Sequence, residues 1–179
     1  HSRVQAASLL AQAYRDTGRQ EDLTKLLDTL DQSASSMQDY YTKQVADILS
    51  SAGRQDRAIE LYKQIATEGG QYESHDALTA LFGVWKDAGR LDDALAWAAE
   101  QKQNAPLLSL MADAYKEQKQ PAKALELYQK ALSQSPSSPY IEYYIPGGIN
   151  VVDIKRNIAA LAAETGNRDL VDTMAKDIL

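Results

Sequence analysis

Two histidines and no cysteine limit the chemistry open to this 179-residue chain. His1 is the first residue, and His75 stands alone within Tyr72-Glu73-Ser74-His75-Asp76. Transition-metal sites draw several imidazole or thiolate ligands together, and neither histidine has a second such ligand nearby in sequence. Without cysteine there is no disulfide framework and no thiol nucleophile. Gly69-Gly70 and Gly147-Gly148 lack the strand and helix that make a glycine pair a phosphate cradle. Asp92-Asp93 falls at a helix start, where the helix dipole favours negative charge. The expectation is a protein that is no enzyme, with no cofactor and no metal. What remains is recognition chemistry. Ten tyrosines each offer a flat apolar ring and a hydrogen-bonding tip. Tyr40, Tyr41 and Tyr72 form one group and Tyr140, Tyr143 and Tyr144 another. Lysine and aspartate also recur four residues apart, as in Lys43 and Asp47, on what would be one helix face.

Charge narrows the partner. The formal net charge is −6 and the pI about 4.9. Binding to a phosphate backbone needs a basic footprint, so nucleic acid is excluded, and a basic peptide or cationic glycan suits the balance better. No apolar run approaches the roughly 20 residues of a membrane-spanning helix. The 44% hydrophobic content, mostly Ala, Leu and Ile, suits closely packed helices.

Glycines punctuate the helices that must position these groups. Gly18, Gly53, Gly89 and Gly166 each separate two apolar helical runs, where a left-handed residue ends a helix. Lys119 holds the equivalent place once, and Pro121 then suits a helix's first turn. Spacing between these turns is 35, 36, 30 and 47 residues. The short step predicts a shortened helix ending near Gln103. The long step predicts an insertion over 135–149, whose prolines and Gly147-Gly148 forbid continuous helix. It is expected to be irregular, with at most one helical turn from Pro139, and its tyrosines are a candidate surface. First helices are predicted near 2–17, 38–52, 73–88, 106–118 and 150–165. Second helices are predicted near 20–33, 55–68, 91–103, 121–133 and 168–179. The repeats run near 4–37, 38–72, 73–105, 106–138 and 150–179 as a single domain.

Three stretches carry a shared signature: Leu10–Ala11–Tyr14–Gly18, Leu81–Trp85–Gly89–Ala94, and Met111–Ala112–Tyr115–Ala124–Tyr128–Pro136. The pattern resembles the tetratricopeptide repeat, a helix pair of about 34 residues. The resemblance implies an all-α solenoid of about five antiparallel helix pairs, with a right-handed superhelical course. It places Ala11, Ala46, Ala58, Ala94, Ala112, Ala124 and Ala159 at helix crossings. It also implies a concave groove lined by the first helices. Carried over, the groove positions hold Gln5, Ser8, Gln12, Arg15, Tyr40, Lys43, Asp47, Ser51, Thr79, Lys86, Ser109, Asp113 and Lys116, among others, with a mild acidic excess. The carboxylate clamp of co-chaperone members needs Lys then Asn four residues on; Lys43 is followed by Asp47, so that clamp is rejected.

The functional expectation is a protein–protein interaction scaffold, a segment of a larger and, from its degenerate repeats, bacterial protein. One alternative is a scaffold in a cell-envelope polysaccharide export system, guiding a cationic glycan or docking its modifying enzyme. Another is a spacer or self-association module. The start at His1-Ser2 without Met and the end inside an apolar helical pattern suggest an excised piece. Its last helix would then leave Leu170, Val171, Met174 and Ile178 as an apolar end able to self-associate weakly. The compartment, periplasm or cytoplasm, stays open.

Overall fold

The computed structural model describes residues 2–134 and 150–179. The predicted insertion at 135–149, with Tyr140, Tyr143 and Tyr144, lies outside the described residues. Among the described residues the elements are ten α-helices: α1 Ser2–Asp16, α2 Gln20–Ala34, α3 Asp39–Ser51, α4 Gln55–Glu68, α5 Gln71–Asp87, α6 Leu91–Ala99, α7 Ala105–Glu117, α8 Pro121–Ser133, α9 Val151–Glu164 and α10 Arg168–Ile178. The chain divides into two compact units, His1–Val84 and Trp85–Leu179, with the boundary inside α5.

Five turns of one design join the helices within pairs. Gly18, Gly53, Gly89 and Gly166 have φ between 69° and 89°, and Lys119 has φ 60°. The next residue's N–H reaches back five residues in every case: Arg19 to Tyr14, Arg54 to Leu49, Arg90 to Trp85, Gln120 to Tyr115 and Asn167 to Ala162, at 2.7–2.9 Å. Each is a Schellman closure, which satisfies the last carbonyls of the first helix and reverses the chain. Glycine suits this position because a Cβ disfavours the left-handed region; Lys119 holds it all the same.

Small residues sit at the crossings as expected. Ala46, Ala58, Ala94, Ala112 and Ala124 are fully buried and Ala11 nearly so, whereas Ala159 is only half-buried against the core of its unit. Alanine there lets helix axes approach to the short end of the usual 8–10 Å. In the first unit Val4, Ala7 and Ala11 of α1 and Leu23, Leu27 and Leu30 of α2 are buried, as are Val45, Leu49, Ile59, Tyr62 and Ile65 of α3 and α4. In the second, Leu108, Tyr128, Ile154, Ile158, Leu161 and Met174 form one apolar cluster. Side chains also tie successive pairs together. The Thr42 hydroxyl donates to the Ala34 carbonyl at 2.9 Å, and that of Ser74 to the Ile65 and Gly69 carbonyls. On the second-helix side Arg54 and Arg57 pair with Asp28 and Asp31 of α2.

Two expectations need correction, and one signature residue lies at the surface. α6 ends at Ala99 rather than near Gln103. The side-chain amides of Gln101 and Gln103 take over its terminal carbonyls at Trp97 and Ala98, and Asn104 caps α7. Leu10, a residue of the repeat signature, is 43% exposed beside Leu9 at 70%. α1 buries Val4, Ala7 and Ala11, so its Leu9 and Leu10 side faces solvent. The apolar end expected of α10 is largely closed: Met174 is buried and Leu170 packs against the core of its unit. Val171 and Ile178 are half-buried, leaving Leu179 exposed.

Candidate functional site

Two of the first helices, α1 and α3, carry several of the groove positions expected from the sequence. They pack side by side and leave a cleft of about 320 Å3 between them. Val4, Gln5 and Ser8 of α1 line one wall and Gln44, Asp47, Ile48 and Ser51 of α3 the other. The spacings follow from helical geometry: residues three, four and seven apart share one face. Four of these residues, Gln5, Ser8, Asp47 and Ser51, are groove positions named by the repeat pattern. Val4, Gln44 and Ile48 were missed, because they fall outside the groove positions carried over from the repeat. Their signal was available, since each lies one helical turn from a named groove residue.

Asp47 is held from two sides. The Tyr62 hydroxyl of α4 donates to its Oδ1 at 2.6 Å, and Lys43 Nζ lies 3.0 Å from its Oδ2. The Tyr62 ring is buried, and that burial, with the Asp47 carboxylate accepting its proton, pushes the phenol well above the ordinary tyrosine range. Arg15 Nη1 donates to the Ser51 carbonyl, placing a guanidinium at the rim. Gln12 is exposed on the same helix. Tyr40 is half-exposed at the start of α3, with its ring edge-to-face on Tyr41 at 5.3 Å. Tyr72 is 79% exposed at the start of α5. Thr79 is exposed, but its hydroxyl donates to the His75 carbonyl of its own helix.

The Tyr–Asp bond recurs in the second unit 66 residues on, with a lysine three residues after the aspartate rather than four before it. The Tyr128 hydroxyl donates to Asp113 Oδ1, and its phenol is raised for the same reasons, burial first. Lys116 Nζ donates to Asn157 Oδ1 of α9 at 2.9 Å and lies 3.9 Å from Asp113. Lys86 pairs with Glu117 at 3.0 Å, which holds the Glu117 carboxyl below its usual range. Ser109 does not line a groove. It is 7% exposed, because α7 buries Pro106, Leu107, Leu108, Met111 and Ala112 around it. His75, in the second turn of α5, is half-buried. Its Nδ1 is buried and finds no hydrogen-bond partner among the described residues, and burial lowers its pKa.

Successive antiparallel helix pairs, each closed by one turn type, define a helical-repeat protein. Residues 105–138 match the tetratricopeptide repeat model. This segment holds α7, α8 and the Asp113–Tyr128 bond. Among curated proteins none matches the chain. Solved structures do. One is named as a Podosopora anserina kinesin light chain with nearly identical tetratricopeptide-like repeats. It is 15% identical with a TM-score of 0.52, over 99% of this chain and 93% of that one. BtubC from P. vanneervenii is 15% identical with a TM-score of 0.53, over 98% and 78%. MamA of AMB-1 is 15% identical with a TM-score of 0.51, over 98% and 90%. The fold is that of a tetratricopeptide-like helical repeat.

Proposed function

We propose that the chain is a protein–protein interaction scaffold that receives a partner segment along its first helices. The observation that carries this is the α1–α3 cleft, where four residues named as groove positions from the sequence meet on one open surface. Tetratricopeptide folds present such concave faces to other proteins. The cleft has an apolar floor and a small number of placed polar groups, the usual make-up of a recognition site. Tyr40 and Tyr72, exposed near helix starts in the same unit, are aromatic contacts available to the same partner. In the second unit Asp113 and Lys116 are the corresponding polar contacts. Two of the carboxylates that would attract a basic partner are engaged within the chain, Asp47 by Lys43 and Glu117 by Lys86. Net acidity alone therefore gives weak selection for a cationic ligand.

Selection from a displayed library of 12-residue peptides tests this reading. Enriched peptides should lose about tenfold or more in affinity on Ser8→Trp, which fills the cleft from an exposed position. They should bind Asp28→Ala, altered on the second-helix side, as they bind the parent. Loss on Asp28→Ala with no loss on Ser8→Trp would move the docking face to the second helices.

A further inference from the structure

We infer that the α1–α3 cleft takes an uncharged aliphatic side chain and its adjoining peptide group, in preference to either a cationic or an anionic side chain. This rests on the reading of the first helices as a docking face and adds the chemistry of the occupant. Val4 and Ile48 supply the floor; at 7% and 6% exposed they offer an apolar base and no polar atom. The rim carries two side-chain amides, Gln5 and Gln44, and two hydroxyls, Ser8 and Ser51. Gln5, Gln44 and Ser8 can each both donate and accept, as the N–H and C=O of a peptide group require, while the Ser51 hydroxyl donates to the Ile48 carbonyl and offers its lone pairs.

Charge decides against the other occupants. Asp47 is the single charged residue among those lining the cleft, and both of its oxygens are engaged, by Tyr62 and by Lys43. An incoming cation must compete with a lysine already positioned one turn away. It also meets Arg15 at the Ser51 end, where like charges repel. An incoming anion meets Asp47 in the wall, and both nearby cations are already placed, Lys43 on Asp47 and Arg15 on the Ser51 carbonyl. An uncharged segment meets neither penalty and leaves the Tyr62–Asp47–Lys43 set intact. The volume, about 320 Å3, lies at the small end of ligand sites and suits one side chain with its flanking amide.

Small-molecule mapping by 1H–15N NMR tests the inference on the chain as it stands. The probes are isobutanol, N-methylacetamide, n-propylguanidinium and propionate, each titrated to the same concentration on the parent and on Ser8→Trp. Circular dichroism confirms that the variant keeps its helix content. Isobutanol and N-methylacetamide should give saturable shifts at Ser8, Ile48 and the Gln5 and Gln44 side-chain amides, and Ser8→Trp should abolish them. The two charged probes should give no shift that Ser8→Trp removes. A larger saturable shift from guanidinium or propionate would overturn the inference, as would four probes with no cleft-dependent shift. The docking reading would survive either result if selected peptides still needed an open cleft, so the two failures are distinguishable.

Discussion

Removing either partner of the Tyr62–Asp47 bond should destabilise the chain, but unequally. Tyr62→Phe deletes a hydroxyl and leaves Asp47 with Lys43 and with water, since its side chain is 46% exposed. The cost should be that of one ordinary hydrogen bond, about 0.5–1.5 kcal/mol. Asp47→Ala leaves the hydroxyl of a buried ring without an acceptor, a cost of about 1–3 kcal/mol. It also loses an exposed i,i+4 ion pair worth about 0.2–0.5 kcal/mol. Against this, alanine gains roughly 0.5 kcal/mol over aspartate in helix propensity. Asp47→Ala should therefore be the more damaging single change. The double variant Asp47→Ala/Tyr62→Phe should be more stable than the sum of the singles predicts, by about 1 kcal/mol. Urea denaturation followed by helical circular dichroism at constant m-value gives each stability. The Asp113–Tyr128 cycle should show the same sign. Strict additivity in both cycles would refute the claim that these bonds brace each first helix against its second.

Backbone and protonation provide the remaining tests. Lys119→Gly should stabilise by about 0.5–1 kcal/mol, and Gly53→Ala should cost about 1–2 kcal/mol. Both hold φ in the left-handed region, and the Gly53 site is otherwise open. Thermal melting should resolve these as shifts of about 2–4 °C per kcal/mol. Stability should decline as the pH falls below about 6.5 through His75, and His75→Gln should flatten the decline. Burial lowers the His75 pKa despite the opposing charge of Asp76, so the unfolded chain takes up the proton first. Its contribution is held above about pH 6.5 and lost as the pH falls through the folded-state pKa. A spectrophotometric titration should show Tyr62 and Tyr128 resisting ionisation above pH 10 until the helices melt, because both phenols are raised in the folded state.

The fold was legible because its constraints are local. A left-handed turn wants glycine and an alanine at each crossing admits a close neighbour, so periodic spacing gave the ten helices within a few residues. Lys119 was placed correctly at a glycine position by register alone. The end of α6 was misjudged because two glutamine amides, rather than a glycine, take its last carbonyls. The surface was less legible. Repeat positions brought Gln5, Ser8, Asp47 and Ser51 to one cleft, but Ser109 sits at a groove position within the buried first half of α7, while Asp113 and Lys116 further along it are exposed. The acidic excess counted from sequence ignored pairing. Whether Lys43 or Lys86 is available depends on a carboxylate four residues away or on another helix, and only the latter needs the folded structure to be seen.

Hydrogen exchange with and without a bound partner segment tests the docking claim most directly. The partner can be any peptide selected against the parent chain. Binding should slow exchange of exposed-face amides in α1 and α3, around Ser8 and from Gln44 to Ser51, and leave α2 and α4 unchanged. Protection confined to α2 and α4, with α1 and α3 exchanging as in the free chain, would contradict the account.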